Sequence, residues 1–233
     1  MNFLSLETMS ITAISPIDGR YASKTANLVP YFSEYALIKY RIRVEIEYFL
    51  ALTSLEIDAL RDFPKNSENE LRLIYKDFSE TDAQKVKAFE RETNHDVKAV
   101  EYFIKERFKA LGFEKYSEFI HFGLTSQDIN NTAVPLSIRE CFVDAYFPQL
   151  DNVYRKILDL AKEWQDVPML ARTHGQPASP TRLGKEMQVF AERLKAQMDS
   201  LREIPIYGKF GGATGNFNAH HVAFPKIDWV SFA

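Results

Sequence analysis

Three segments of the chain place apolar residues three and four positions apart, the period that puts them on one face of an α-helix. These segments are residues 35–49, 97–111 and 183–201, and most positions between their apolar residues are polar or charged. Gly112 follows the second segment, where a helix commonly ends in a left-handed residue, and Pro205 bounds the third. Each segment therefore predicts an amphipathic helix that buries one face in a core.

No segment alternates convincingly between apolar and polar residues, and no Asn-Gly pair marks a β-hairpin. We therefore predict an all-α fold in which long helices joined by short loops form a bundle. A boundary is expected near residues 112–118, which gives an N-terminal helical domain over 1–115 and the first part of a long-helix bundle over 116–233. Capping-box patterns at 67–70 and 81–84 predict two further helix starts.

The last residues begin one more helix, for which Asp228 is a suitable N-cap. The sequence stops at Ala233, before that helix could be completed. We therefore expect these residues to be the first part of a longer protein.

The charge of the chain is nearly balanced, with 29 Lys and Arg against 32 Asp and Glu and a net charge of −3. Because nucleic-acid surfaces and polybasic membrane patches are strongly cationic, neither kind of partner is expected. Cys141 is the single cysteine, so an intrachain disulfide is excluded and a cytoplasmic location is expected. The first four residues lack the pattern of a secretory signal, and no run is apolar and long enough to cross a bilayer.

The motif at residues 172–177, Arg-Thr-His-Gly-Gln-Pro, is the most informative part of the chain. Gly175 and Pro177 keep it out of a regular helix and leave His174 between hydrogen-bonding neighbours. A histidine held in a polar loop can donate or accept a proton near neutral pH. The alternative is a buried histidine bonded to backbone. Polar clusters around the other histidines favour the chemical interpretation.

A turn over residues 15–21 ends in Arg20 and Tyr21. An arginine can grip a phosphate or carboxylate through two parallel hydrogen bonds, and the tyrosine adds a hydroxyl donor. The alternative is an ordinary surface turn with an exposed arginine.

Two further clusters precede predicted helices. Asn94, His95 and Asp96 come directly before the second apolar segment, where they could cap the helix or offer its N-terminus to an anion. Capping by Asn94 or Asp96 leaves His95 without a role. Thr125 and Ser126 could likewise cap a helix or bind ligand carboxylates, and residues 128–131 add more polar side chains than a cap requires.

The glycine-rich stretch at 209–216 lacks the spacing and the final Lys-Ser/Thr of a phosphate-binding P-loop. It predicts instead a backbone that a ligand or a neighbouring helix approaches closely. The adjacent pair His220 and His221 lacks metal-ligand spacing, so no metal site is expected.

Together these motifs resemble adenylosuccinate lyases of the fumarase/aspartase superfamily, in their longer bacterial form. The resemblance rests on residues 15–21 (Ser-Pro-Ile-Asp-Gly-Arg-Tyr), 93–103 (Thr-Asn-His-Asp-Val-Lys-Ala-Val-Glu-Tyr-Phe), 119–131 (Phe-Ile-His-Phe-Gly-Leu-Thr-Ser-Gln-Asp-Ile-Asn-Asn) and 172–177, with the glycine-rich segment in support. The motifs occur in the family's order and span nearly the whole chain.

The resemblance implies elimination of fumarate from adenylosuccinate, giving AMP, and from succinyl-aminoimidazole-carboxamide ribotide. It implies a homotetramer whose active sites combine three subunits, and no metal or organic cofactor. The implied roles are phosphate binding by Arg20 and Tyr21, and general acid catalysis by His174. Asn94, His95 and Asp96 would line the substrate site, and Thr125 and Ser126 would bind the succinyl carboxylates.

The resemblance also implies a catalytic base, a serine on a flexible loop, whose motif is absent from these 233 residues. The isolated chain is therefore expected to be inactive, with the base beyond Ala233. Other interpretations are a related lyase, such as argininosuccinate lyase or fumarase, and a non-catalytic helical scaffold. The turn ending in Arg20 favours a phosphorylated substrate over the related lyases.

Overall fold

The computed structural model describes residues 12–233. Residues 1–11 lie outside the described part, and with them the four residues considered for a secretory signal.

The regular elements are mostly helices, so the predicted helical class is confirmed. In chain order they are α1 (Val29–Phe32), α2 (Glu34–Thr53), α3 (Glu68–Lys76), α4 (Glu80–Thr93), α5 (Asp96–Ala110), α6 (Ser126–Cys141), α7 (Phe147–Glu163), β1 (Pro168–Thr173), β2 (Gln176–Arg182), α8 (Leu183–Arg202), α9 (Asn218–Ala223) and α10 (Trp229–Phe232). Short 3₁₀ turns lie at Ala22–Lys24, Ala26–Leu28, Asp58–Leu60, Lys65–Ser67 and Glu114–Phe119, and a π-turn at Phe142–Tyr146 leads into α7. Within residues 12–233, no helix has both the length and the apolar composition needed to span a bilayer.

The chain divides into two compact units. The first contains the described residues 12–139 together with 207–233, and the second contains 140–206. Residues 112–118 lie inside the first unit. The division of a longer protein near residue 115 stays a prediction.

The core of the first unit is built on the apolar faces of α2 and α5, as the sequence predicts. Ile46 of α2 and Ile104 of α5 are fully buried, and the rings of Phe49 and Phe108 meet edge to face with centroids 4.9 Å apart. Each such side chain contributes about 1.5–3 kcal/mol by leaving water. α5 ends at Ala110 and Gly112 adopts φ 79°, which confirms the predicted stop.

Both predicted helix starts are present, but neither capping box forms between the predicted residues. The box of α4 lies two residues earlier than predicted, with the Asp82 amide donating to Ser79 Oγ at 3.2 Å and the Ser79 amide donating to Asp82 Oδ2 at 3.0 Å. Ser67 precedes α3 but makes no capping bond, because the 3₁₀ turn before it gives φ −90° and ψ 0° instead of the extended backbone that a cap requires. The predicted cap at Asp228 is confirmed, since its side chain accepts from the Ser231 amide at 3.0 Å.

The second unit consists of the antiparallel pair α7 and α8 and a hairpin between them. A Cβ at Gly184, in the first turn of α8, would lie 2.2 Å from the Ala161 carbonyl oxygen of α7, so the two helices approach too closely there for any other residue. α8 ends at Arg202, three residues before Pro205, as the apolar period predicts.

The expectation that the chain lacks strands was wrong at one place, the histidine motif. β1 and β2 pair antiparallel from Pro168 opposite Arg182 to Thr173 opposite Gln176, with an irregularity between Leu170 and Arg172. The hairpin gives no alternation signal because most of its residues are exposed on both faces. Its two-residue turn is His-Gly instead of Asn-Gly, with φ 51° at His174 and 76° at Gly175.

Candidate active site

His95 is the N-cap of α5, a role that the sequence analysis gave to its neighbours. Its Nδ1 accepts a hydrogen bond from the Lys98 amide at 3.1 Å. Asn94 instead ends α4 in the left-handed conformation, with φ 51°. Because Nδ1 accepts, the neutral ring carries its proton on Nε2. His95 is about half exposed and therefore presents an N–H donor to its surroundings.

Asp96 is tied to α2 through Arg41, which is buried. The Arg41 guanidinium lies 2.6 Å from Asp96 Oδ2 and donates from Nε to Asn130 Oδ1 at 2.9 Å. Burial opposes ionisation of Asp96, but Arg41 and the Val97 amide outweigh it and lower the pKa of the Asp96 carboxyl. One arginine therefore joins the start of α5 to the second turn of α6.

The hydroxyls of Thr125 and Ser126 are not used as caps. α6 begins at Ser126, and the Thr125 amide donates to Asp128 Oδ2 at 2.8 Å. In the part of the chain that the structure describes, neither hydroxyl makes a hydrogen bond. Asp128 thus performs the capping, and both hydroxyls stay available to a ligand.

Asp128 also binds the glycine-rich segment. Its Oδ1 lies 2.7 Å from Lys209 Nζ and 3.0 Å from the Gly211 amide, and its Oδ2 accepts from the Gly212 amide at 3.1 Å. Thr132 Oγ1 of α6 donates to the Lys209 carbonyl at 3.4 Å. The predicted close approach by a neighbouring helix is confirmed. The surplus of polar residues at 128–131 is explained too, because Asp128 and Asn130 bind different elements.

His121 pairs with a buried carboxylate. Glu45 of α2 has no exposed surface, and its oxygens accept from the His121 amide at 3.1 Å and from the ring Nδ1 at 2.5 Å. Burial works against protonation of His121, but the hydrogen bond and charge of Glu45 outweigh it and raise the pKa of the imidazole. Since Nδ1 is bound, Nε2 is the ring nitrogen without a hydrogen-bond partner in the described residues.

His220 is fully buried among aromatic rings. The Tyr48 hydroxyl donates to the Phe122 carbonyl at 2.7 Å, so at 2.9 Å it accepts from His220 Nε2. Burial lowers the pKa of His220. A Cβ at Gly123 would lie 2.6 Å from the ring, so this histidine packs directly on the turn before α6. Residues 12–233 contain no group of three His, Cys, Asp or Glu side chains placed to hold a metal ion.

Arg20 and Tyr21 lie in the predicted turn, which is closed by a bond of 2.8 Å from the Tyr21 amide to the Pro16 carbonyl. Both side chains are exposed, and the guanidinium carbon lies 5.6 Å from the Tyr21 ring centroid. Within residues 12–233, no hydrogen bond or ion pair joins them to the other predicted site residues.

His174 occupies the tip of the β1–β2 hairpin in the second unit, and residues 172–177 are all exposed. Across residues 12–233 its imidazole takes part in no hydrogen bond or ion pair. The structure therefore assigns the predicted acid and the predicted substrate-binding residues to different units.

A protein-family model described as Lyase matches residues 19–232. The chain belongs to this lyase family. It is homologous to adenylosuccinate lyases: that of Dictyostelium discoideum is 54% identical over 98% of this chain and 50% of its own length. That of Vibrio cholerae serotype O1 is 45% identical, over 98% of this chain and 50% of its own. The chain spans about half the length of the curated relatives that it matches.

Solved structures of other proteins share the fold of this chain. A fumarate lyase from Mesorhizobium sp. BNC1 has a TM-score of 0.67 at 21% identity, over 84% of this chain and 44% of that one. At that identity the likeness concerns the fold alone.

Three side chains of the candidate site make contacts that the sequence does not predict. Glu45 falls between Ile42 and Ile46 on an otherwise apolar face, and a charge on a buried face was the available signal. Asp128 belongs to the polar surplus at 128–131, and His121 lies just before it in the same motif. Their partners were not predictable, because these lie 76 positions from His121 and 83 from Asp128 along the chain.

Proposed function

We propose that these residues are the N-terminal half of an adenylosuccinate lyase. The observation that carries this proposal is the 54% identity to an adenylosuccinate lyase over 98% of this chain. The full-length protein would eliminate fumarate from adenylosuccinate to give AMP, and from succinyl-aminoimidazole-carboxamide ribotide.

The chemistry of a β-elimination sets what the site must supply. One group removes a carbon-bound proton, another protonates the departing nitrogen, and fixed donors stabilise the aci-carboxylate that develops between these steps. In the proposal the hydroxyls of Thr125 and Ser126 are donors to the succinyl carboxylates. Their support is that both hydroxyls lack internal partners in the described residues while Asp128 fixes the backbone beneath them.

His174 is the proposed general acid on the departing nitrogen. Two observations support this role. The His174 imidazole is exposed on a two-residue turn, and in the described residues no other group forms a hydrogen bond with it. In the proposal the second unit brings this histidine to the substrate once the longer protein is assembled.

The remaining roles follow from charge and donor type. Arg20 and Tyr21 would bind the phosphate, and His95 would donate from Nε2. Asn94 and Asp96 would line the same site. Because Asp96 is bound to Arg41, its role is to hold His95 at the start of α5. The base is a serine beyond residue 233, and the protein acts as a cytoplasmic homotetramer.

An absorbance assay tests the proposal on the full-length protein. We expect turnover of adenylosuccinate and none of argininosuccinate, since the latter has no phosphate for Arg20 and Tyr21. Turnover of argininosuccinate alone would favour the related lyase, and turnover of neither would favour the scaffold. Either result refutes the proposed function.

A further inference from the structure

Asp128 is a buried carboxylate with several hydrogen bonds, and the proposed chemistry gives it no contact with the substrate. Only 3% of the residue is exposed. A buried charge is costly unless it is paired and its oxygens are filled. Both conditions hold here, because the ammonium of Lys209 and three backbone amides converge on its two oxygens.

The donors come from two segments that are far apart in sequence. Thr125 belongs to the turn before α6, whereas Lys209, Gly211 and Gly212 belong to the glycine-rich segment more than 80 residues later. Each oxygen is shared between donors, so moving either segment would break bonds on the carboxylate. Asp128 therefore fixes the two backbones relative to each other within the first unit.

Gly211 and Gly212 are the buried part of the glycine-rich segment. The Gly211 and Gly212 amides point at Asp128, and the Gly212 carbonyl accepts from Lys209 Nζ at 2.6 Å. Gly212 holds φ 76°, a conformation that residues with a side chain rarely adopt. These amides therefore serve Asp128, whereas the hydroxyls of the partly buried Thr125 and Ser126 have no hydrogen-bond partner in the described residues.

We propose that Asp128 is a positioning residue: it locks the Thr125–Ser126 turn onto the glycine-rich segment, so that both hydroxyls face the succinyl carboxylates. The inference rests on the proposed function. It does not require Asp128 to touch the substrate. It differs from a purely structural role in one respect, since recognition of the succinyl half should depend on Asp128 while recognition of the phosphate half should not.

The test uses Asp128→Asn in the full-length protein. An amide keeps the shape but offers one acceptor oxygen to donors that now use two. Asp82→Asn is the matched control. Like Asp128, Asp82 accepts from a backbone amide at a helix start and pairs with a cation, here Arg107. It lies in the first turn of α4 and is not among the proposed substrate-binding residues. Both substitutions are made in a His174→Asn background, which slows turnover while adenylosuccinate binding is measured by calorimetry.

We expect Asp128→Asn to weaken adenylosuccinate binding about tenfold or more, which corresponds to one well-placed interaction. AMP, which lacks the succinyl group, should bind within about twofold of the parent. Asp82→Asn should leave both affinities unchanged. Equal losses for the two ligands would make Asp128 merely structural, and unchanged adenylosuccinate binding would also overturn the inference.

Hydrogen exchange tests the lock without any ligand. In Asp128→Asn the amides of Thr125, Gly211 and Gly212 should exchange faster than in the parent. In Asp82→Asn the same three amides should stay protected. If Asp128→Asn does not fold, Lys209→Met gives the second test, because it leaves the three amide bonds in place and should keep Gly211 and Gly212 protected. Fast exchange of those amides in Lys209→Met would overturn the inference. Absence of adenylosuccinate turnover by the parent protein would instead refute the proposed function, and the exchange result would stand by itself.

Discussion

Three of the four histidines in the first unit are held in the opposite way to the histidine of the hairpin in the second. In the first unit His95, His121 and His220 each have a ring nitrogen bound to a named partner, namely the Lys98 amide, Glu45 and Tyr48. In the second unit His174 stands exposed at the tip of a two-residue turn, and within residues 12–233 its ring has no such partner. A histidine that transfers a proton must reach the reacting group, and a ring without an internal partner leaves both nitrogens available for that contact. Groups that orient a substrate must instead be held in place.

The largest expected effect concerns the uncommitted histidine. His174→Asn keeps the hairpin, because Asn-Gly is the preferred pair for this turn, and removes the imidazole. In the full-length protein we expect kcat to fall about 10²- to 10⁴-fold, the usual contribution of a general acid.

Steady-state kinetics with adenylosuccinate check this, with His221→Asn as the control because His221 is also an exposed histidine. A kcat near that of the parent would remove His174 from the mechanism.

The next effect compares a glycine in each unit. Gly123→Ala should destabilise the chain by about 3 kcal/mol, because overpacking costs about 1–3 kcal/mol and the left-handed backbone adds about 1–2. The new Cβ would lie 2.6 Å from the buried His220 ring.

Gly175→Ala also has positive φ but meets nothing within 4 Å, so only the smaller backbone cost of about 1–2 kcal/mol applies. Urea unfolding of both variants measures the difference. Equal losses would mean that the turn before α6 is no more tightly packed than the hairpin tip.

Glu45→Gln tests the buried pair with His121. Hydrogen bonds to charged groups contribute about 1.5–3 kcal/mol, and the amide retains part of this. The folded-state pKa of His121 is raised, so its stabilising contribution is fully present below the unfolded value of about 6.5 and is lost as the pH rises through the folded value.

Urea unfolding between pH 6 and pH 9 should therefore show an alkaline loss of stability in the parent that Glu45→Gln lacks. Glu47→Gln, on the same helix, should keep the alkaline loss, because the Glu47 carboxylate pairs with Arg72 instead. An alkaline loss of the same size in Glu45→Gln would contradict the account of His121.

The smallest effect separates the two roles of His95. His95→Ala should cost about 1 kcal/mol, the usual value of an N-cap, whereas His95→Asn should restore most of it because asparagine caps well. Both variants should lose activity in the full-length protein, since neither offers the ring Nε2–H donor. Full activity in His95→Asn would reduce His95 to a cap.

The sequence predicts the helices α2, α5 and α8 because each has a local apolar period of three and four residues. The β1–β2 hairpin was not predicted, because its strands are mostly exposed on both faces and do not alternate clearly between apolar and polar residues. Its turn is His-Gly, not the favoured Asn-Gly. In the candidate site, the sequence predicts which residue types and segments could bind a ligand, but it does not predict which residues contact each other. The contact of Glu45 with His121, and that of Asp128 with Gly211, join positions far apart in the chain and exist only once the helices pack.

One spectrum tests most directly whether the first unit fixes His95, His121 and His220 while the hairpin leaves His174 free. Long-range ¹H–¹⁵N correlation of the imidazoles distinguishes the two ring nitrogens of each histidine in the 233-residue chain. The account predicts a proton on Nε2 and an unprotonated Nδ1 for His95 and His220, a protonated Nδ1 for His121, and signals averaged between tautomers for His174. A proton on Nδ1 of His95, or a single fixed tautomer for His174, would contradict it.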